Sequence, residues 1–200
     1  FGASDEPISS KEASKVKRGV VQIPMVGGTI AIAYNKPGCA LKLTQKQTVN
    51  IFSGTIKDWK ELGCSAGLIK VVHRSDGSGT TFAFTNSLDA FGGWKPGVGK
   101  SVKWPVGVGG KGNEGVAGTI KTAPGTIGYV NTGFVKTNKL QVAALQNKSG
   151  QFVLPTAKSG ALALNSIKLD VNLAGENPNP STSGAYPIST LTWILAYKRG

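Results

Sequence analysis

The sequence predicts an α/β fold, and three observations carry that expectation. β-rich runs alternate with segments whose apolar residues recur at helical spacing. Some of the helical segments also carry recognisable start and stop signals. With 28 Gly and 10 Pro but only 16% charged residues, the chain has the turns such an alternation needs and lacks the composition of a coiled coil or helical bundle. Its 200 residues suffice for one domain, or one domain and part of another. No apolar run approaches the roughly 18 residues that would cross a bilayer as a helix.

In chain order, Val20 to Pro24 and Thr29 to Tyr34 read as strands bounded by Gly27-Gly28 and by Asn35 to Gly38. Thr44 precedes a short helix over Gln45 to Phe52, with Gln47 at the capping-box position and Gly54 beyond the end. Ile69 to His73 is a buried type of strand. It leads through Arg74-Ser75-Asp76-Gly77-Ser78-Gly79-Thr80-Thr81 into a helix marked by Phe84, Leu88 and Phe91. Asn113 is placed to cap a further helix through Thr122, whose buried stripe would be Val116, Ala117 and Ile120 and whose stop is Pro124-Gly125. Thr126 to Val130 is the next strand. Gln141 to Leu145 and Phe152 to Pro155 are extended pieces around a turn at 147–150, and Ser159 to Ile167 is a weak helix. The Asn- and Pro-rich stretch 176–184 is a loop, and Ile188 to Tyr197 is a continuous β-compatible run.

Twenty-three basic against ten acidic residues give a formal charge of +13. Only Arg18, Arg74 and Arg199 are arginine, however, and the lysines are scattered singly. Specific reading of nucleic acid leans on bidentate arginine, so that class is set aside in favour of a solubilising surface or a field that draws small anions. One histidine, His73, and two cysteines are too few for a protein metal site. Cys39 and Cys64 both lie beside glycines in turn-like sequence, which predicts a disulfide, with two buried free thiols as the alternative. A disulfide would imply an oxidising compartment. The chain opens at Phe1 with neither Met nor a charged-then-apolar leader, as expected after removal of a leader or in a fragment.

The most informative stretch is Arg74 to Thr80. A turn of small residues between a strand and a helix presents several backbone N–H groups together, and the first helical turn adds the positive end of its dipole. Ser78 and Thr80 bring hydroxyl donors, and Arg74 brings a planar, permanently charged fork suited to a tetrahedral oxyanion. Such a cradle fits one phosphate or sulfate. The same residues also read as an ordinary N-cap and turn. A nucleotide-binding P-loop is excluded because no Lys follows the second Gly. His73 alternates to the face opposite Arg74, which argues against a catalytic Ser–His pair. Asp76 could hold the Arg74 fork or serve as an Asx-turn residue. From its own surroundings Asp5 looks like any loop carboxylate.

The segments Phe1 to Asp5, Gly54-Thr55-Ile56-Lys57-Asp58-Trp59, Arg74 to Thr80 and Lys103-Trp104-Pro105-Val106-Gly107 follow one another in a familiar order. Gly109 to Asn113, Pro124-Gly125-Thr126-Ile127-Gly128-Tyr129 and Tyr186-Pro187-Ile188 continue it. Together they resemble the phosphate-binding proteins of bacterial high-affinity phosphate ABC transporters. The resemblance implies a type II periplasmic-binding-protein fold, two α/β lobes joined by hinge strands that close on a ligand. On that pattern residues 1–25 are a remnant of the first lobe, 26–187 form the second lobe with the cradle, and 188–200 return toward the first. The family's earlier phosphate-contacting segments and its final helical stretch have no counterpart here, so the sequence reads as the interior of a longer protein.

By the same resemblance Arg74, Ser78, Gly79 and Thr80 donate hydrogen bonds to phosphate, Asp5 accepts the proton that phosphate keeps at neutral pH, and Asp76 steers Arg74. Sulfate has no such proton and would meet Asp5 as a repulsive charge. The implied function is capture of inorganic phosphate and delivery to an ABC-type membrane permease, without catalysis, cofactor or metal. The implied partners are phosphate and the permease subunits, not nucleic acid, with the chain a monomer in the periplasm or another extracytoplasmic space, free or held at a membrane or cell surface. A receptor for another oxyanion and a phosphatase-like enzyme are the alternatives.

Overall fold

In the computed structural model, which describes residues 1–199, the chain runs β1 (Gly2–Ser4), α1 (Ser10–Ala13), β2 (Val20–Tyr34), β3 (Lys42–Leu43) and α2 (Gln45–Phe52). A 3₁₀ turn (Trp59–Leu62), β4 (Lys70–Arg74), α3 (Gly79–Phe91), β5 (Val108–Gly110), α4 (Gly112–Thr122), β6 (Thr126–Asn131) and α5 (Thr132–Asn138) follow. The chain ends through β7 (Gln141–Val142), β8 (Ala144–Gln146), β9 (Phe152–Val153), α6 (Ala157–Leu164) and β10 (Ser189–Tyr197). Gly200, the last residue of the expected return segment, lies outside the described residues.

The main sheet has seven strands in the order β1-β10-β2-β6-β4-β5, with β7 also on β2, and β3-β8-β9 form a small second sheet. β4 runs parallel to β5 and β6, while β2 runs antiparallel to β6 and β10. Period-two alternation sorts the core onto two faces. Ile30, Ile32 and Tyr34 pack with Phe52, Phe84 and Tyr129 on one side, and Ala33 packs with Val72, Val116, Ile120 and Val130 on the other. Because both faces are covered, Ile30 to Tyr34 is buried without interruption.

The α/β alternation and the helix over Gln45–Phe52, with Thr44 and Gln47 forming a reciprocal capping box, agree with the sequence reading. Other features correct it. Gly27-Gly28 is not a turn: both residues lie inside the 15-residue β2, paired with Leu191 and Thr190 of β10. Gly27 is small because Leu164 of α6 occupies the space a Cβ would need, so the glycine serves a close approach of helix to strand. Asn113 does not cap α4, which begins one residue earlier. Its Oδ1 instead accepts the N–H of Asn131 (2.9 Å), and the Gly112 N–H at the helix start donates to Asp76 Oδ1 (3.0 Å). α6 starts at Ala157 on a Thr156 cap and ends at Leu164, short of the expected Ile167. The extended piece 141–145 divides around fully buried Ala143 into β7 and β8, which join different sheets. The short α5, β1, β3 and β5 carry no sequence signal strong enough to mark them, whereas α1 has one that the reading passed over, the capping box of Ser9 and Glu12.

Cys39 and Cys64 form the expected disulfide, with Cα atoms 5.4 Å apart. It ties the turn after β2 to the turn after the 3₁₀ segment, beside Tyr34, whose hydroxyl donates to the Cys39 carbonyl (2.7 Å).

Candidate functional site

β4 ends at Arg74 at the edge of the aromatic core, and the chain turns through 75–77 into α3. Ser78 is the N-cap: its Oγ accepts from the N–H of Thr80 (3.0 Å) and of Thr81 (3.4 Å). As an acceptor in both bonds, the hydroxyl retains its own proton for a third partner. Gly79 opens the helix, and its N–H makes no hydrogen bond among the described residues. A Cβ on Gly79 would come 2.7 Å from the Asp5 nitrogen, so only glycine lets the β1 end pass this close.

Arg74 is held on two sides. Its Nε donates to Asp76 Oδ1 (2.7 Å) and its Nη2 to Asp76 Oδ2 (2.5 Å), a bidentate pair that leaves Nη1 without a hydrogen bond among the described residues. The hydrogen bonds it donates to Asp76 push the Arg74 guanidinium above its ordinary value, and in return Arg74, then the Gly112 N–H, hold the Asp76 carboxyl well below the usual carboxylate range. The backbone N–H of Arg74 donates to Tyr129 Oη (3.2 Å), which also shares a hydrogen bond with Thr81 Oγ1 (2.7 Å). Tyr129 is fully buried against Phe84, ring centroids 4.2 Å apart, and burial pushes its phenol up to about 12. The hydroxyl therefore stays neutral and pins the end of β4 to the first turn of α3.

Asp5 reaches the same place from the chain start. Its Oδ2 accepts from Thr80 Oγ1 (3.3 Å) and its Oδ1 from Thr192 Oγ1 (2.6 Å), while its backbone carbonyl accepts from Thr190 Oγ1 (3.0 Å). A groove of about 610 Å³ extends from Asp5 along Gly27 to Thr29, Asn131 to Gly133 and α6. Lys100 braces the opposite flank: its carbonyl accepts the Ser78 N–H (2.9 Å) and its ammonium reaches Glu6 (3.1 Å).

The fold thus gathers Asp5, Arg74, Asp76, Ser78, Gly79 and Thr80 at one locus. With Asp76 balancing Arg74, what remains to meet an anion is a set of directed donors, namely Nη1 of Arg74, the Ser78 hydroxyl, and the Gly79 N–H at the positive end of a 13-residue helix. Asp5 is the acceptor in this set. His73 is taken up elsewhere, stacked on Trp104 at 4.9 Å with the rings 11° from parallel. Sequence reasoning missed Tyr129, Lys100, Thr190 and Thr192. The threonines sit two apart on a strand and so share a face, the only local signal they carry. Tyr129 lies in a buried run and has none.

The fold therefore sets a strand–turn–helix with unpaired donors at the end of a mixed sheet, beside two long antiparallel strands. The PBP superfamily domain matches residues 1–200, and the chain belongs to that superfamily. Among curated proteins it is 41% identical over 219 residues to the phosphate-binding protein PstS of Xylella fastidiosa strain Temecula1, covering 100% of this chain and 59% of the relative. It is also 41% identical over 220 residues to the protein of the same name from Haemophilus influenzae, covering 99% and 64%. Among solved structures it resembles a high-affinity periplasmic phosphate-binding protein, PfluDING, bound with phosphate at pH 8.5. The TM-score is 0.79 at 26% identity, over 96% of this chain and 64% of that one. The chain spans about three fifths of the length of the curated relatives it matches.

Proposed function

We propose that this chain is the phosphate-holding part of a solute receptor that captures inorganic phosphate outside the cytoplasm and passes it to an ABC-type permease. The observation that carries the reading is the placement of one carboxylate, Asp5, within 3.3 Å of Thr80 Oγ1, at the mouth of an otherwise donor-only cradle. Arg74, Ser78 and Gly79 donate to the anion's oxygens, Thr80 joins them by turning its hydroxyl from Asp5 to the ligand, and Asp5 accepts from the proton of monohydrogen phosphate. A fully ionised oxyanion would set a charge against Asp5 with no proton between them, which is the basis for rejecting sulfate. Asp76 acts through Arg74, whose fork it fixes. The PstS names of the relatives and the phosphate-bound structural neighbour support the same ligand and the same role.

The residues do not suit hydrolysis. Ser78 Oγ is held as the helix cap, while His73 is stacked on Trp104 with its Nδ1 at the Arg74 carbonyl, so the two form no serine–histidine pair. In this reading residues 26–187 form the ligand-carrying lobe, and 1–25 with 188–200 lead into a second one. Val21, Ile23, Met25 and Tyr197, all solvent-exposed near the far end of β2 and β10, support that division. The Cys39–Cys64 disulfide supports an oxidising, extracytoplasmic setting. The receptor acts as a monomer, with the permease subunits as its protein partners.

Titration calorimetry of the full-length protein with phosphate, repeated in excess sulfate, tests the proposal. Phosphate binding unaffected by sulfate is expected; equal binding of the two anions, or heat from neither, refutes it.

A further inference from the structure

We infer that Thr192, on β10, is a positioning residue that sets the anion specificity of the site by orienting the Asp5 carboxylate. The inference rests on the phosphate reading above and concerns a residue outside the cradle.

The geometry is specific. β1 pairs antiparallel with β10 with Ser4 opposite Trp193, so the next residue of the chain, Asp5, arrives beside Thr192. Thr190 and Thr192 project from the same face of β10, and both donate to Asp5, one to its backbone carbonyl (3.0 Å) and one to Oδ1 (2.6 Å). The pairing of β10 with β2 is irregular at this point: Thr192 lies opposite Val26 but Trp193 opposite Pro24, with Met25 as the extra residue of a bulge. Pro24 has no N–H to give the ladder, which is where such an interruption is tolerated. Beyond the bulge Trp193 is fully buried, with its Nε1 donating to the Leu173 carbonyl (2.7 Å). The strand is therefore anchored immediately next to Thr192.

A carboxylate has two oxygens that a protonated ligand could use. The short bond from Thr192 occupies Oδ1 and fixes the plane of the group, so that Oδ2, on the Thr80 side, is the oxygen turned toward the cradle. Without it, Asp5 keeps its charge but can swing. The directed acceptor for phosphate and the fixed repulsion toward sulfate then weaken together. Specificity is the difference between those two effects, so it falls further than phosphate affinity alone would suggest. Because Thr192 lies on one of the two long strands that would form the hinge, the specificity carboxylate is tied to the element that moves on closure.

The test uses the full-length protein, with phosphate and sulfate titrated separately into wild type, Thr192→Val, Thr192→Ala and Thr192→Ser. Thr192→Val keeps the shape of the side chain and removes the donor. Its phosphate affinity should fall about tenfold and its phosphate-to-sulfate preference at least as much, the size expected for losing one hydrogen bond to a charged group. Thr192→Ala supplies the same reading if the valine variant does not fold, and Thr192→Ser should restore the preference. In an Asp5→Asn background, Thr192→Val should leave the preference unchanged. Wild-type preference in Thr192→Val or Thr192→Ala, or equal loss for both anions, overturns the role of Thr192 alone. A wild-type protein that does not bind phosphate overturns the functional reading beneath it.

Discussion

Replacing Gly79 by alanine separates the site from the fold. The added Cβ would lie 2.7 Å from the Asp5 nitrogen, 2.9 Å from its Cβ and 3.0 Å from its Cα. That leaves the closest pair about 0.7 Å short of ordinary contact, and the atoms it meets belong mostly to backbone. Either Asp5 or the first turn of α3 must withdraw. The Thr80–Asp5 hydrogen bond, already 3.3 Å, would then be lost. Drawn back in this way, Asp5 no longer reaches the proton of the bound phosphate, and loss of that ligand hydrogen bond to a charged group corresponds to about 1.5 to 3 kcal/mol, or roughly a ten- to hundredfold weaker phosphate affinity. Stability should change much less. The φ of Gly79 lies outside the left-handed region, so alanine gains about 0.4 to 1 kcal/mol by restricting the unfolded chain, against about 1 to 3 kcal/mol for overpacking. The expected net loss of about 1 kcal/mol would move the melting temperature by only about 2 to 4 °C. Calorimetry with phosphate and a thermal melt on the same sample measure both. Phosphate affinity within about twofold of wild type in a folded Gly79→Ala protein would refute the reasoning, because Asp5 would then play no part at the distance described.

Three further outcomes are expected. Tyr129→Phe removes only the hydroxyl that joins the Arg74 N–H to Thr81, leaving a buried donor unpaired; it should cost about 1 to 3 kcal/mol in denaturant unfolding and also weaken phosphate binding. Asp76 has a lowered folded-state value, so its stabilising pair with Arg74 is fully present above the ordinary carboxylate value of about 3.9 and is lost as pH falls through the lowered one. The stability gap between wild type and Asp76→Asn should accordingly be constant near neutral pH and narrow only in strong acid, and a gap that narrows between pH 7 and 5 would contradict the ion pair. Thiol counting on the denatured, unreduced protein should find no reactive cysteine, and reduction should destabilise by about 3.5 kcal/mol for a closed loop of this length.

Much of this molecule is legible along the chain, and the parts that are share one property: their causes lie within a few residues of each other. The capping box of α2 needs only Thr44 and Gln47, three residues apart. The donors of the cradle come from residues 74–80 because a helix N-terminus presents its unpaired N–H groups consecutively, so composition and order suffice to mark it. With only two cysteines, the disulfide had one possible pairing within the chain. Where local and tertiary causes compete, the tertiary one prevails. Gly27-Gly28 has the sequence of a turn, yet Leu164 of α6 makes it a close contact within a continuous strand. Asn113 has the chemistry of a cap, yet Asp76 meets the start of α4 and Asn113 turns to Asn131.

The acceptor side of the site depends entirely on the tertiary structure. Asp5 carries no local mark, and it gains a role because β10 brings Thr190 and Thr192 to it from more than 180 positions away while Gly79 admits it to within contact of α3. The sequence by itself determined that a strand–turn–helix would offer donors to an oxyanion. The family resemblance pointed to Asp5 as the acceptor, but only the folded sheet brings it against Thr80 and the start of α3, because hydrogen-bond geometry depends on distance in space, and strand register sets that distance where chain separation does not.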